Sequence, residues 1–347
     1  MYKSLLSCLF VFAFVGAVDA VISIPRVGRA DNANIYTSAY SSSHNIEPLE
    51  EFRHSHQIAK EFPRRSVQSV AEVPPHKNIV VYYQTQYHDN KYISPSPLTG
   101  LATHLIIAAF HLNKNKTIHL NNVPLDDSSL TQMWNDATRL QESGIKVMGM
   151  LGGASQGAYQ VLADDFDEYY RLLSSCIMDY KLDGVDLDVE EYESLENIGK
   201  LIKRLRQDFG DNFIITMAPV ASALKGGRDT FSGFNYADLE AQYGDDINWY
   251  NVQFYSGYGS MENTTDYNEI VKDFPLNPRR LVAGTLTNKA NGGGFVELDK
   301  VNSTVRQLAN KYGDGFGGVA GWEYFNSMPH PDEPWKWAEI MQSAMGR

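Results

Sequence analysis

The sequence predicts a (β/α)8 barrel, also called a TIM barrel, over residues 77–347. Eight short runs rich in apolar and β-branched residues recur at intervals of about 25 to 43 residues, which suits a strand followed by a crossover helix. Eight such units in about 270 residues match the usual size of this single-domain α/β fold. The eight runs are residues 79–82, 105–110, 147–151, 185–189, 214–218, 250–254, 281–284 and 318–322.

The segments between these runs supply the helices of the prediction. Residues 129–142 are amphipathic and end before Gly144, and residues 194–209 carry apolar side chains at helical spacing and end before Gly210. The alternative is an open doubly wound sheet, which usually has a glycine-rich phosphate loop after its first strand. Residues 84–87 read QTQY at that place, so the barrel is favoured.

The first 76 residues are predicted to lie outside the barrel. Residues 1–20 combine a positively charged start, a short apolar core and small residues near a cleavage site, which is typical of a signal peptide and too short for a membrane span. Residues 21–76 have no sustained apolar period and are predicted to be disordered. Arg64 and Arg65 are either a processing site, which would make the segment up to residue 65 a propeptide, or part of a solvated linker. We therefore expect a secreted, extracellular protein.

Charge and cysteine content exclude several classes of protein. The chain has 30 Lys and Arg against 42 Asp and Glu, a net charge of −12, which disfavours nucleic acid and anionic membranes as partners. Cys8 and Cys176 are the two cysteines of the chain, so a disulfide-rich scaffold and a cysteine-rich zinc site are excluded. Cys176 lies in a helical pattern and is predicted to be a small buried side chain. Three Asn-X-Ser/Thr sequons predict surface glycosylation, at Asn115, Asn263 and Asn302.

The most informative segment is residues 183–190, which read DGVDLDVE in the fourth of the eight runs. Strand side chains alternate between two faces, so Asp186, Asp188 and Glu190 share one face and the apolar residues between them share the other. Inside a barrel the three carboxylates cannot all remain ionised, and the pKa of at least one must rise. A carboxyl group of raised pKa at the C-terminal end of a barrel strand is what a general acid needs near neutral pH.

The acidic row has two other interpretations, a metal site and a solvated strand face. Carboxylates also bind calcium or magnesium, but three acids along one strand form a row and not a cage, and neighbouring segments offer no matching acidic cluster. We therefore predict no metal and no cofactor. A solvated strand face is disfavoured because the residues between the acids are apolar.

Residues 183–190 match the DGxDxDxE signature of family 18 glycoside hydrolases, and the chain resembles this family, which includes chitinases and endo-β-N-acetylglucosaminidases. Other segments resemble further family elements in the expected order, over roughly residues 78–341. They are MLGG at 150–153, similar to SxGG with Met150 in place of Ser, MAP at 217–219, similar to MxP, QFY at 253–255, similar to QxY, and Trp322 on the eighth strand.

The resemblance implies a retaining mechanism in which the 2-acetamido group of the substrate is the nucleophile. Glu190 would protonate the glycosidic oxygen, and Asp188 would orient the acetamide and stabilise its positive charge. Asp186 would share a proton with Asp188, and Tyr255 would donate a hydrogen bond to the acetamide carbonyl. The indole of Trp322 would form the apolar floor of the sugar pocket. The substrate-binding residues are expected near the strand ends, and they are Trp322, Gln253, Met217, Tyr82 and Phe110.

The implied substrate is an oligosaccharide with a GlcNAc-β-1,4-GlcNAc bond, which occurs in chitin and in the core of N-glycans. Residues 284–302 leave room for a loop and a helix start, so we expect no chitinase insertion domain, and we expect no chitin-binding module. Segments 218–224 and 321–327 resemble small secreted fungal endo-β-N-acetylglucosaminidases, which leave one GlcNAc on asparagine. We therefore expect a monomeric enzyme that releases N-glycans.

Two alternatives to N-glycan release remain open. The first is an endochitinase. The second, from another class, is a non-catalytic lectin on the same fold, which is disfavoured because family lectins usually lack the acid at the position of Glu190.

Overall fold

The computed structural model describes residues 77–225 and 231–347. The predicted signal peptide (1–20) and the predicted disordered segment (21–76), with its dibasic pair, lie outside the described residues. The strands are β1 (Asn78–Tyr83), β2 (Tyr87–His88), β3 (Lys91–Tyr92), β4 (His104–Asn113), β5 (Thr117–Leu120), β6 (Val123–Pro124), β7 (Lys146–Gly152), β8 (Gly184–Asp188), β9 (Ile214–Met217), β10 (Trp249–Gln253), β11 (Leu281–Leu286) and β12 (Gly318–Trp322). The α-helices are α1 (Thr131–Glu142), α2 (Ala158–Asp164), α3 (Phe166–Asp179), α4 (Leu195–Phe209), α5 (Tyr236–Tyr243), α6 (Thr265–Asp273), α7 (Leu298–Tyr312) and α8 (Lys336–Ala344).

Eight parallel strands of the described chain close into a barrel, which confirms the predicted fold class. Their order is β1, β4, β7, β8, β9, β10, β11 and β12, and β12 pairs again with β1. The strands β5 and β6 extend this sheet as an antiparallel ribbon beside β4, and β2 and β3 form a separate small ribbon. The stretch between β11 and α7 contains one short 3₁₀ turn, at Lys289–Asn291.

The first connection differs from the regular strand and helix alternation that the sequence predicted. Between β1 and β4 the described chain has the β2–β3 ribbon and a 3₁₀ turn at Ser96–Leu98, but no α-helix. Pro95 precedes this turn and Pro97 lies within it, and Gly100 follows with a φ of 76°. Because proline and glycine disfavour helix interiors, the short connection turns without forming an α-helix.

The predicted helices begin and end close to where the sequence placed them. The side chain of Ser194 accepts a hydrogen bond from the backbone N–H of Asn197 and caps α4, and Gly210 ends it with a φ of 75°. The apolar stripe of α4 is buried against the barrel. Cys176 is buried in α3 as predicted, and burial raises the pKa of its thiol to about 12. No helix in the described ranges is long and apolar enough to span a membrane.

Two apolar clusters pack on either side of the barrel wall. The larger one lies between the strands and the surrounding helices, and the smaller one fills the barrel interior and includes Val80, Ile106, Met148 and Val282. Because side chains alternate along each strand, a residue's cluster tells which side of the wall its side chain occupies.

The register of β4 is irregular between Ile107 and Phe110, where its pairing with β7 shifts. Ala108 and Ala109 both belong to the inner cluster, and Phe110 belongs to the outer one. The ring of Phe110 packs over Gly149, where an added Cβ would lie 2.4 Å from the ring. The bulge therefore reverses the side on which Phe110 would lie in a regular strand.

Candidate active site

The acidic row lies at the C-terminal end of β8, inside the mouth of the barrel. Asp186 is completely buried, Asp188 is 6% exposed as the last residue of the strand, and Glu190, two residues later, is partly buried. The backbone N–H of Gly153 donates to the carbonyl oxygen of Asp188 at 2.9 Å. At Gly152, with a φ of 94°, an added Cβ would lie 2.4 Å from that same oxygen, so a side chain there would displace the acidic row.

Asp186, the deepest acid, is held by hydrogen bonds from three other strands. Its Oδ2 accepts from the hydroxyl of Tyr82 on β1 at 2.8 Å. Its Oδ1 accepts from the hydroxyl of Thr216 on β9 at 2.5 Å and from the side-chain amide of Asn251 on β10 at 3.0 Å. Hydrogen bonds of this kind stabilise the ionised form of a buried carboxyl group.

One amide group joins the two outer acids of the row. Gln253, the last residue of β10, approaches Oδ1 of Asp188 and Oε1 of Glu190 with its Nε2, at 3.2 Å in each case. The same nitrogen donates to the carbonyl oxygen of Ala218 at 2.9 Å, which fixes the orientation of the amide. Gln253 therefore sets the spacing between the two carboxyl groups.

Burial raises the pKa of all three carboxyl groups, but by different amounts. The pKa of Asp188 lies well above its ordinary value, because burial is reinforced by the charges of Glu190 and Asp186. Burial also raises the pKa of Asp186, but the hydrogen bonds from Thr216, Tyr82 and Asn251 oppose that shift. The pKa of Glu190 is raised by burial and lowered in part by its hydrogen bond from Gln253. Of the three carboxyl groups, Asp188 is therefore the one whose protonated form is favoured most, and the three donors to Asp186 favour its ionised form.

Aromatic side chains border the acidic row. Burial and the charges of Asp188, Glu190 and Asp186 raise the pKa of Tyr255 well above its ordinary value, so its phenol remains protonated and can donate a hydrogen bond. Trp322, the last residue of β12, packs against the inner cluster and remains partly exposed. Its ring centroid lies 5.4 Å from that of Tyr82. The structure thus brings seven of the predicted site residues to one place: Asp186, Asp188, Glu190, Tyr82, Gln253, Tyr255 and Trp322.

Two predicted substrate-binding residues are not part of this group. Met217 is completely buried in the outer cluster, because Thr216 points into the barrel and the next side chain on β9 must point out. Phe110 is also buried in the outer cluster, because of the bulge in β4. Neither side chain faces the mouth, so we correct both assignments to packing roles.

Thr216 and Asn251 are site residues that the sequence reasoning missed. Both are polar residues at inward positions of apolar strands, one two residues after Ile214 and the other two residues before Gln253. That alternation was available as a signal. On the other side of Asp186, Met150 pairs with it across β7 and β8 and points into the barrel, but it has no hydroxyl to donate.

Two other acids near the row accept hydrogen bonds from backbone N–H groups. Glu191 accepts from the N–H groups of Gly157 and Tyr159 at the start of α2, at 2.9 and 2.8 Å. The carboxylate of Glu193 accepts from the N–H of Ser194, immediately before α4, at 2.6 Å. In the described ranges, no group of three or more His, Cys, Asp or Glu side chains is placed to hold a metal ion.

The three sequons differ in exposure. Asn115 and Asn263 are exposed, and their amide oxygens accept from the hydroxyl of Thr117 at 2.7 Å and the N–H of Thr265 at 2.9 Å. Asn302 lies in the first turns of α7 and is partly buried, with its amide oxygen inaccessible. The side chains of the first two sequons are therefore well exposed in the folded protein, and that of the third is partly covered.

Comparison with known proteins assigns the chain and its fold to one family. The family described as "Glycosyl hydrolases family 18" matches residues 78–283. A solved fungal endo-beta-N-acetylglucosaminidase of that family is 44% identical and has a TM-score of 0.73, with 77% of this chain and 97% of that chain covered. A chitinase, ChiC, from Aspergillus fumigatus is 45% identical with a TM-score of 0.70, over 78% of this chain and all of that chain.

The chain belongs to family 18 of the glycoside hydrolases. Among curated proteins it is similar to Chitinase Chi52 of Paenibacillus xylanexedens, at 22% identity over 55% of this chain and 45% of that protein. It is also similar to Endochitinase 4 of Metarhizium robertsii, at 23% identity over 52% of this chain and 61% of that protein. The chain thus spans less than two thirds of the length of these relatives.

Proposed function

We propose that this protein is a retaining glycosidase that cleaves the β-1,4 bond between two GlcNAc units, with the core of N-glycans as its substrate. The observation that carries the proposal is the Asp188–Glu190 pair, joined by the Gln253 amide at the accessible end of a buried acidic row. Glu190 is the most exposed of the three acids, so it is the one that reaches a glycosidic oxygen.

The burial of Asp188 argues for substrate assistance. Asp188 lies deeper than Glu190 and is almost completely covered, so its carboxylate is poorly placed to attack an anomeric carbon. The acetamide carbonyl oxygen of the substrate forms the bond to C1 instead, while the C1–O bond to the leaving sugar breaks and Glu190 gives its proton to that oxygen. Water then attacks C1 and displaces the acetamide oxygen, Glu190 takes a proton from that water, and the β configuration is retained.

The neighbours of the acids support the charged intermediate. The acetamide N–H faces Asp188, and the positive charge that develops on the ring lowers the pKa of Asp188 and favours its ionised form. Asp186, held by its three donors, adds a second negative charge below it. The protonated phenol of Tyr255 orients the acetamide carbonyl, and the indole of Trp322 supports the apolar face of the sugar.

Hydrolysis of chitin is the second candidate function. It is favoured by the 45% identity to a chitinase over the full length of that solved chain and by the curated relatives, which are named chitinases. The N-glycan reading is favoured by the solved fungal endo-beta-N-acetylglucosaminidase, at 44% identity and the higher TM-score.

The test compares the two substrates directly. The purified protein is incubated with a high-mannose glycoprotein and, separately, with chitin tetramer, and products are followed by mass spectrometry. We expect a glycoprotein that keeps one GlcNAc on asparagine, and a released glycan whose new reducing end is initially in the β form by NMR. Cleavage of the tetramer without cleavage of the glycoprotein would replace our proposal with the chitinase alternative.

Two controls address the mechanism. Glu190→Gln keeps the shape of the side chain and removes the transferable proton, and we expect a loss of about 100-fold or more in kcat, with binding retained. A substrate whose −1 sugar has a hydroxyl in place of the acetamide should not be cleaved, since its nucleophile is missing. Near-normal turnover in either control would exclude the mechanism.

A further inference from the structure

Strands β1 and β12, which carry Tyr82 and Trp322, are not paired with each other at those two residues. The ladder between β1 and β12 runs from Asn78 and Gly318 to Val81 and Gly321, and it stops one residue before the two aromatic side chains. The rings nevertheless lie 5.4 Å apart, and Tyr82 is the donor to Asp186. Each strand end is paired with its other neighbour, Tyr82 with Ile106 and Trp322 with Leu286, so side-chain contacts join the two ends to each other.

The carboxylate of Glu323 occupies this position. It is 6% exposed, and its Oε2 accepts from the backbone N–H groups of Gln84 and Thr85 at 3.1 and 2.8 Å. Its Oε1 accepts from the hydroxyl of Thr85 at 2.8 Å. One side chain that directly follows Trp322 is therefore bonded to the segment just beyond Tyr82.

The other side of Trp322 is fixed by β11 and the loop that follows it. The carbonyl oxygen of Trp322 accepts from the N–H of Thr287 at 2.8 Å and from the side-chain amide of Asn291 at 3.1 Å. The carbonyl oxygen of Glu323 accepts from the hydroxyl of Thr287 at 2.6 Å. With β11 holding one side, the carboxylate of Glu323 adds three hydrogen bonds to the residues that follow β1, next to the edge-on ring contact between Tyr324 and Tyr83.

A buried carboxylate is a costly way to fill space, since it must be fully hydrogen-bonded to be tolerated. We propose that Glu323 is a positioning residue of the active site, which holds Trp322 and Tyr82 in the arrangement that binds the −1 sugar and orients Asp186. This inference rests on the proposed glycosidase function. Glu323 itself acts through its two neighbours and does not contact the reacting atoms.

The test compares substitutions that break the bridge with one that keeps it. Glu323→Ala removes all three bonds, whereas Glu323→Gln can still accept from the backbone and donate to the hydroxyl of Thr85. We expect Glu323→Ala to raise KM and lower kcat/KM by about tenfold or more, and Glu323→Gln to stay within about threefold of the parent protein. Thr85→Val removes one bond and should give a smaller rise in KM, so the inference stays testable if the alanine variant fails to fold.

The matched control is Glu240→Ala. Glu240 is a similarly covered carboxylate that bonds to Tyr250 and Arg280 on the outside of the barrel, away from the acidic row. The Glu240→Ala substitution should lower the melting temperature of the protein without changing KM. Binding of the chitin tetramer is also measured by calorimetry in the Glu190→Gln background. Adding Glu323→Ala should weaken this binding about tenfold, and adding Thr85→Val should weaken it less.

Three results would overturn the inference. The first is an unchanged KM and unchanged tetramer binding in folded Glu323→Ala. The second, if the alanine variant does not fold, is an unchanged KM and unchanged binding in Thr85→Val. The third is a rise in KM in Glu240→Ala as large as that in Glu323→Ala. Failure of the proposed function is seen separately, as a parent protein that cleaves neither substrate.

Discussion

The hydroxyl of Tyr82 donates a 2.8 Å hydrogen bond to Asp186 from nearly the opposite side of the barrel. Tyr82 is on the first barrel strand and Asp186 on the fourth, so the bond spans the interior and not a pair of neighbouring strands. Because Tyr82 also contacts Trp322, it links the charge of the acidic row to the wall of the sugar pocket.

Tyr82→Phe tests the electrostatic part of this link. The substitution keeps the ring and removes a donor to a buried carboxylate, which raises the pKa of Asp186. Since Asp186 must be ionised to support the intermediate, we expect kcat to fall about tenfold and the acidic limb of the pH–rate profile to move to higher pH. Tyr83→Phe is the matched control, because the hydroxyl of Tyr83 bonds to the carbonyl oxygen of Ile93 instead. Equal profiles for the parent and Tyr82→Phe would contradict the role.

Asp188→Asn should separate stability from activity. The pKa of Asp188 is raised in the folded protein, so its contribution to stability is complete below the unfolded pKa of about 4 and is lost as the pH rises through the folded pKa. The asparagine variant lacks this loss. We therefore expect it to be inactive, and its melting temperature to exceed that of the parent by a margin that grows with pH above about 4. Asp211→Asn, at an exposed position, should show no such trend, and a constant margin for Asp188→Asn would disprove the assignment.

Phe110→Ala should mainly lower stability, whereas Trp322→Ala should mainly weaken substrate binding. Phe110 is buried in the outer cluster, so its truncation should cost about 3–5 kcal/mol of unfolding free energy and leave KM unchanged. Trp322 is partly exposed at the mouth, so its truncation should raise KM about tenfold at a smaller cost in stability. Denaturant unfolding and steady-state kinetics measure the two quantities. A raised KM for Phe110→Ala would restore the role that the sequence assigned to it.

Secretion and glycosylation remain proposals that expression in a eukaryotic host can test. We propose that the protein is exported, and expect glycans at Asn115 and Asn263 but not at the partly buried Asn302. Asn115→Gln and Asn263→Gln should each increase electrophoretic mobility by one step, and Asn302→Gln should not. N-terminal sequencing of the exported product distinguishes a start at Ser66, after the dibasic pair, from a start at Val21. Retention of the chain inside the cell would contradict export.

The sequence predicted the barrel and its acidic row because both depend on local regularities. Strand-like runs at a steady spacing predicted the fold, and two-residue alternation placed Asp186 and Asp188 on one face. Glu190 lies beyond the end of β8, where the side-chain amide of Gln253 contacts both Glu190 and Asp188. That contact is between residues 63 and 65 positions apart and has no local signature.

The errors arose where local rules were broken or applied incompletely. Alternation carried through β9 from the inward Thr216 would have placed Met217 outside the barrel, so that error was avoidable. Phe110 was different, because the bulge before it depends on how β4 pairs with β7, which a single strand does not encode. Glu323 escaped notice for a related reason, since its partners lie more than 230 residues earlier in the chain.

The contact between Phe110 and Gly149 has a consequence for how the protein can diverge. Any β-carbon at position 149 would collide with the ring, so a larger residue there becomes tolerable only after the ring has been replaced by something smaller. Homologues with alanine or serine at 149 should therefore carry a reduced side chain at 110. The two positions are expected to change as a pair during descent, although 38 residues separate them in the chain.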